Sequence, residues 1–166
     1  MVERVIHSAD RLEIIEALRE MPDAVEAEIA GLPEQVLRFK PSDNEWSIKE
    51  VVGHLRDGAE VWHKRLYQVW AQNDPMFVPY DQDAYVRERG YQEADLRRVI
   101  EEMRRFRLQT VDLLAHAVDW SRLGQWPGVG RRSLKQLAQA LVDAEKEHLE
   151  QIRSLKALAA TGSGRA

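Results

Sequence analysis

Residues 46–57 read WSIKEVVGHLRD. Ser47 and Glu50 form a capping box, each side chain satisfying a backbone N–H that a helix start leaves unpaired. Trp46, just before the cap, is placed to pack on Val51 as a hydrophobic staple. From Ser47 to about Gln72 the residues Ile48, Val51, Leu55, Trp62, Leu66 and Val69 return at helical spacing and form one apolar stripe. His54 lies beside that stripe. A histidine there is a metal ligand, a catalytic base or a hydrogen-bonded part of the core.

The same period recurs in three further segments. One runs from about Asp10 to Ala30, with a kink or short break expected at Pro22. Another covers Glu93 to Ala117. The last covers Ser133 to Ala159 and opens on a second capping box, Ser133 with Gln136. Long polar connections, 31–46, 73–92 and 118–132, separate them. The middle one, NDPMFVPYDQDAYVRERGYQ, is long enough to let the second and third helices run parallel, and connections of that length are often functional. No strand pattern or internal repeat stands out, and GVGRRS (128–133) reads as a plain loop. The fold expected is all-α: one four-helix bundle domain over 1–160, with a flexible tail, TGSGRA, at 161–166.

Of the 166 residues, 44% are hydrophobic and 31% charged, as in an ordinary soluble domain, and the net charge is −4. An acidic chain is a poor match for a phosphate backbone or an anionic membrane, so neither nucleic acid nor membrane is an expected partner. Without cysteine there is no disulfide, thiolate nucleophile or cysteine metal site. No run is apolar enough to span a bilayer, and MVERVIHSAD lacks a signal-peptide core, so we expect a cytoplasmic protein.

The informative residues are polar ones on apolar stripes. His54 has Asp57 and Glu60 toward the stripe's edges. Glu145 and His148 fall inside the Leu134–Leu141–Ile152 stripe, three apart and so on one face. Arg107 falls between Met103 and Thr110. Unpaired buried charges are costly, so these groups must meet one another, a metal or trapped water. Glu145 with Arg107 reads most simply as a buried ion pair. Glu-x-x-His is half of a carboxylate-bridged di-metal motif, but the second helix offers HLRD in place of the other half. His7, His63 and His116 read as surface or rim residues, and Arg104–Arg105 as solvated.

EWSIKEVVGHLRDGAEVWHKRL (45–66) resembles the second helix of the DinB-like (damage-inducible B-like) superfamily of metalloenzymes, and SLKQLAQALVDAEKEHLEQI (133–152) its fourth. YDQDAYVRERGY (80–91) and RLQTVDLL (107–114) also fit, so the likeness extends over about 8–157. It implies up-down-down-up helix order, often a homodimer, and a site of three histidines for a divalent ion such as Zn²⁺ or Ni²⁺. His54 and His148 match two of these ligands; the third position is Ala144. Glu145 could swing in as third ligand, or Asp57, Asp81 or Asp83 could replace it, or the ion is weakly held or lost. The resemblance further implies a metal-dependent transferase or hydrolase acting on a small molecule, small thiols above all. Asp57 or Glu60 would orient an imidazole, and Trp46, Trp62, Tyr80, Arg107 and Ala144 would surround the pocket. The alternative is a non-catalytic stress-response or small-ligand-binding bundle without its metal.

Overall fold

A computed structural model describes residues 2–162, with side chains from Asp10 onward. Four long helices carry the fold: α1 (Val2–Ile29), α3 (Ile48–Ala71), α5 (Leu96–His116) and α6 (Leu134–Gly162). Two short ones, α2 (Glu34–Leu37) and α4 (Gln82–Arg89), lie in the connections, and a single 3-10 turn at Tyr91–Glu93 precedes α5. Both capping boxes form. The Ser47 hydroxyl accepts from Glu50 N and the Glu50 carboxylate from Ser47 N. Ser133 and Gln136 exchange the same pair of bonds at 3.1 and 2.9 Å. The first helix begins earlier than Asp10 and passes through Pro22 without a break. His7 falls within α1, but its side chain lies outside those described. The last helix takes in Thr161 and Gly162 of the expected tail; 163–166 lie outside the described residues.

Inter-helix bonds give the directions. Arg11 reaches Val118, Arg107 reaches Leu18, and Arg104 reaches Asp23, so α1 and α5 are antiparallel. Lys135 bonds Asp10 and Lys156 bonds Glu28, so α1 and α6 are parallel. Arg56 meets Glu102 and His63 meets Thr110, so α3 and α5 are parallel. The order is therefore up-down-down-up. Each long helix packs on two neighbours, leaving α1 diagonal to α3 and α5 diagonal to α6.

The core is divided. One apolar cluster holds Met21, Val51, Met103 and Ile152; the other holds Leu18, Leu66, Leu114 and Leu137. Between them, at mid-bundle, lies a polar layer with Arg107, Glu145 and His148.

The connection 118–132 corrects the expectation of no strands. Leu123–Trp126 (β1) and Gly130–Ser133 (β2) pair antiparallel, Trp126 opposite Gly130. Pro127 and Gly128 turn the chain, with Gly128 at φ +79° and Val129 N donating to Trp126 O, the features of a type II turn. GVGRRS is thus a turn and a strand. Four-residue strands of sequence LGQW and GRRS have no alternation long enough to read. The segment after α3 runs beside β1: Phe77 N donates to Gln125 O and Gln125 N to Pro75 O.

Candidate functional site

His54 of α3 and His148 of α6, 94 residues apart in the chain, meet inside the bundle. Their Nε2 atoms are 3.1 Å apart and the rings lie edge to face, centroids 4.5 Å apart. The other nitrogens are also engaged. His54 Nδ1 faces the Tyr80 hydroxyl at 3.4 Å, and His148 Nδ1 faces Gln151 Oε1 at 3.0 Å. One proton arrangement satisfies all three contacts. His148 Nδ1–H donates to Gln151, His54 Nε2–H donates to His148 Nε2, and the Tyr80 hydroxyl donates to His54 Nδ1. Burial, helped by His148, lowers the His54 pKa to about 4, so this imidazole is neutral at neutral pH.

The pair forms one end of a cavity of about 350 Å³ between α3, α6, the 79–82 segment and the hairpin turn. Trp62, Tyr80 and Ala144 line it, as the sequence suggests. Trp46 does not. It lies against His54 with ring centroids 4.9 Å apart, and lines a shallower hollow on the other side of His148. Arg107 is also not in the wall. It is buried deeper, donating to Glu145 Oε1 at 2.8 Å, Glu145 Oε2 at 2.5 Å and Leu18 O at 2.9 Å.

The candidate third ligands are committed elsewhere. Both oxygens of Glu145 accept from Arg107, so its carboxylate faces α5 rather than the imidazoles. Asp57 Oδ1 accepts from Tyr91 Oη at 2.5 Å, Arg89 Nη1 at 3.0 Å and Arg56 Nη1 at 3.3 Å. Burial raises the Asp57 pKa despite these partners. Glu60 pairs with Arg56 at 2.8 Å, so neither acid orients a histidine. Asp81 caps α4 through Ala84 N, and Asp83 lies on the shallower hollow. Among the described residues no three His, Cys, Asp or Glu side chains gather to hold a metal ion.

The two other histidines whose side chains are described stand apart. His63 Nδ1 bonds the Thr110 hydroxyl at 2.9 Å across the α3–α5 seam, and His116 is exposed near its own helix end. Arg104 is not simply solvated: it ties α1 to α5 through Asp23 and Glu26. Three residues that the sequence did not single out contribute to the site: Gln151 behind His148, and Arg65 and Trp126 in the cavity wall. Arg65 follows His54 by eleven positions, three helical turns, so its place on the cavity face was readable from spacing alone.

A sequence profile of the DinB superfamily matches residues 17–152. This chain belongs to the DinB superfamily. A curated protein of Geobacillus thermodenitrificans (strain NG80-2), named "Putative metal-dependent hydrolase", is 31% identical over 78 residues. That match spans 47% of this chain and 44% of the relative, less than half the relative's length. The solved structure of YfiT from Bacillus subtilis is described as "a probable metal-dependent hydrolase with an unusual four-helix bundle topology". It superposes with a TM-score of 0.82 over 87% of this chain and 85% of its own, at 20% identity. At that identity the likeness concerns the superfamily's fold alone. Among the described residues no helix is long and apolar enough to cross a membrane.

Proposed function

We propose that this DinB-superfamily chain is a small-molecule hydrolase or group transferase whose reacting groups are the paired imidazoles of His54 and His148. The observation that carries this reading is the meeting of two Nε2 atoms 3.1 Å apart at a cavity wall. A hydrolase or transferase needs a base for the proton of an attacking water or thiol. His54 donates its Nε2 proton to His148 Nε2, so a bound water or thiol that displaces this hydrogen bond meets the His148 Nε2 lone pair and can give it a proton. Tyr80 and Gln151 hold the two rings in the required tautomers.

The names of the relatives support a divalent ion in this reaction, where it would activate water or thiol as a Lewis acid. His54 and His148 would hold it. To do so His54 would have to carry its proton on Nδ1 instead of Nε2, where the Tyr80 hydroxyl would accept it. The rest of the donor set does not fit a resident ion. Ala144 offers no ligand, Glu145 and Asp57 are engaged, and two imidazoles alone bind a divalent ion weakly. We therefore assign the imidazoles, not the ion, as the fixed machinery.

Calorimetric titration of Zn²⁺ and Ni²⁺ into chelator-stripped, untagged protein tests the donor set. Ala144→His should raise Zn²⁺ affinity about tenfold or more. An unchanged affinity would mean that position 144 does not face His54 and His148. Turnover of a panel of activated esters and thiol acceptors tests the reaction, and His148→Phe should abolish it. The second reading, a non-catalytic binder, is favoured by the space that Ala144 leaves in the cavity wall. It predicts ligand binding without turnover of any panel member.

A further inference from the structure

On the reading just proposed, we infer that the cavity is built for an elongated ligand carrying a carboxylate, which Arg65 binds at the end away from the His54–His148 pair. The cavity face of α3 reads His54, Gly58, Trp62, Arg65, spaced four, four and three apart, and all four line the cavity. His54 and Arg65 are three turns apart, about 16 Å along the helix axis. Gly58 lies between them. A methyl group there would meet nothing within 4 Å, so packing does not demand the glycine. Glycine is disfavoured inside a helix. Here it leaves the middle of the cavity floor open, joining the two ends.

Arg65 is 7% exposed, and its guanidinium lies between the rings of Trp62, at 4.9 Å, and Phe77, at 5.3 Å. Nη2 donates to Val78 O at 2.9 Å. No carboxylate among the described residues lies within ion-pair distance of it, whereas buried Lys49 and Arg107 have Glu34 and Glu145. Its Nε and Nη1 have no partner among the described residues, yet are not sealed from solvent. Burial lowers its pKa, opposed only by Tyr80. A rigid, uncompensated guanidinium with free N–H groups matches the planar fork of a carboxylate. The acid in the lining, Glu145, is neutralised by Arg107, so nothing repels an incoming anion. Arg65 is also the one Lys or Arg in the lining, so a phosphate dianion would keep half its charge unpaired.

The test is binding of 4-phenylbutyrate and 4-phenylbutanamide to the full chain in EDTA, read by calorimetry and tryptophan fluorescence. Wild type should bind the acid about tenfold tighter than the amide. Arg65→Gln, which keeps a donor for Val78 O, should bring that ratio close to one and leave amide binding nearly unchanged. Equal binding of acid and amide by wild type overturns the carboxylate seat while leaving the cavity in place. Tighter binding of 4-phenylbutyl phosphate than of the acid overturns it too. If neither probe binds, or if Gly58→Leu weakens neither, the cavity reading itself fails and this inference falls with it.

Discussion

The His54 imidazole is held neutral by burial first and by His148 second, with a pKa of about 4. Between that value and the ordinary 6.5, the unfolded chain binds a proton that the native chain refuses. Stability therefore falls as pH drops through this window and is insensitive to His54 above it. The full loss is on the order of 3 kcal/mol. Urea midpoints in EDTA at pH 7.5, 5.5 and 4.5 should show the fall, and His54→Phe should remove most of it. The remainder belongs to His63, whose pKa is also lowered by burial, and near pH 4.5 to Glu28, Glu34 and Glu60, whose pKa values lie below the ordinary carboxylate value. An equal fall in the variant would sink the assignment. His54 and His148 were legible because each interrupts an apolar stripe. Arg65 shares the His54 face by spacing, but its burial was not legible, because a cation beside Trp62 and Leu66 reads as a solvated edge until Phe77 and the 78–80 segment close over it. The Glu145–Arg107 pair was legible too, because both charges fall on apolar stripes and need a partner, and the two do meet. The engagement of Asp57 was not, since its partner Tyr91 lies 34 residues away and is not charged.

At the level of the element, Pro22 explains the position of Arg107. A helical N–H bonds the carbonyl four residues back, and proline has none, so Leu18 O is left without its partner. Arg107 Nη1 supplies a donor at 2.9 Å while the same guanidinium grips Glu145. One side chain thus ties α1, α5 and α6 together in the polar layer. Arg107→Ala should destabilise by about 3 kcal/mol, because it strands a buried carboxylate and a carbonyl. Pro22→Ala restores an N–H for Leu18 O. It should therefore stabilise the Arg107→Ala protein by about 1 kcal/mol more than it stabilises wild type. Additive denaturation energies across this double-mutant cycle would show that Arg107 does not serve the proline's orphan carbonyl. Caps and stripes made the long helices legible as elements. The hairpin was not, because its strands are short, polar and stabilised by a neighbour rather than by their own pattern.

In the whole molecule, the hairpin, the 75–81 segment and α3 act as one wall of the cavity. Gly124 lets them close: a Cβ there would lie 2.7 Å from Val69 Cγ2 and 2.8 Å from Phe77 Cζ. Trp126 then meets Trp62 edge to face, ring centroids 4.9 Å apart. Gly124→Val should cost about 2 kcal/mol and speed hydrogen exchange at Phe77 N–H, which bonds β1. Unchanged exchange over 74–80, followed by mass spectrometry, would mean that this wall is held by something other than the Gly124 contact. The sequence alone determined four amphipathic helices, two of their starts and two inward histidines, since helical period and capping are local properties of a chain. Only the tertiary structure decided that Asp57 was engaged, which buried cation among the described residues lacked a carboxylate and that a hairpin encloses the cavity. Those outcomes depend on which distant side chains and backbone groups the packed helices bring within hydrogen-bonding distance, and no local pattern records that.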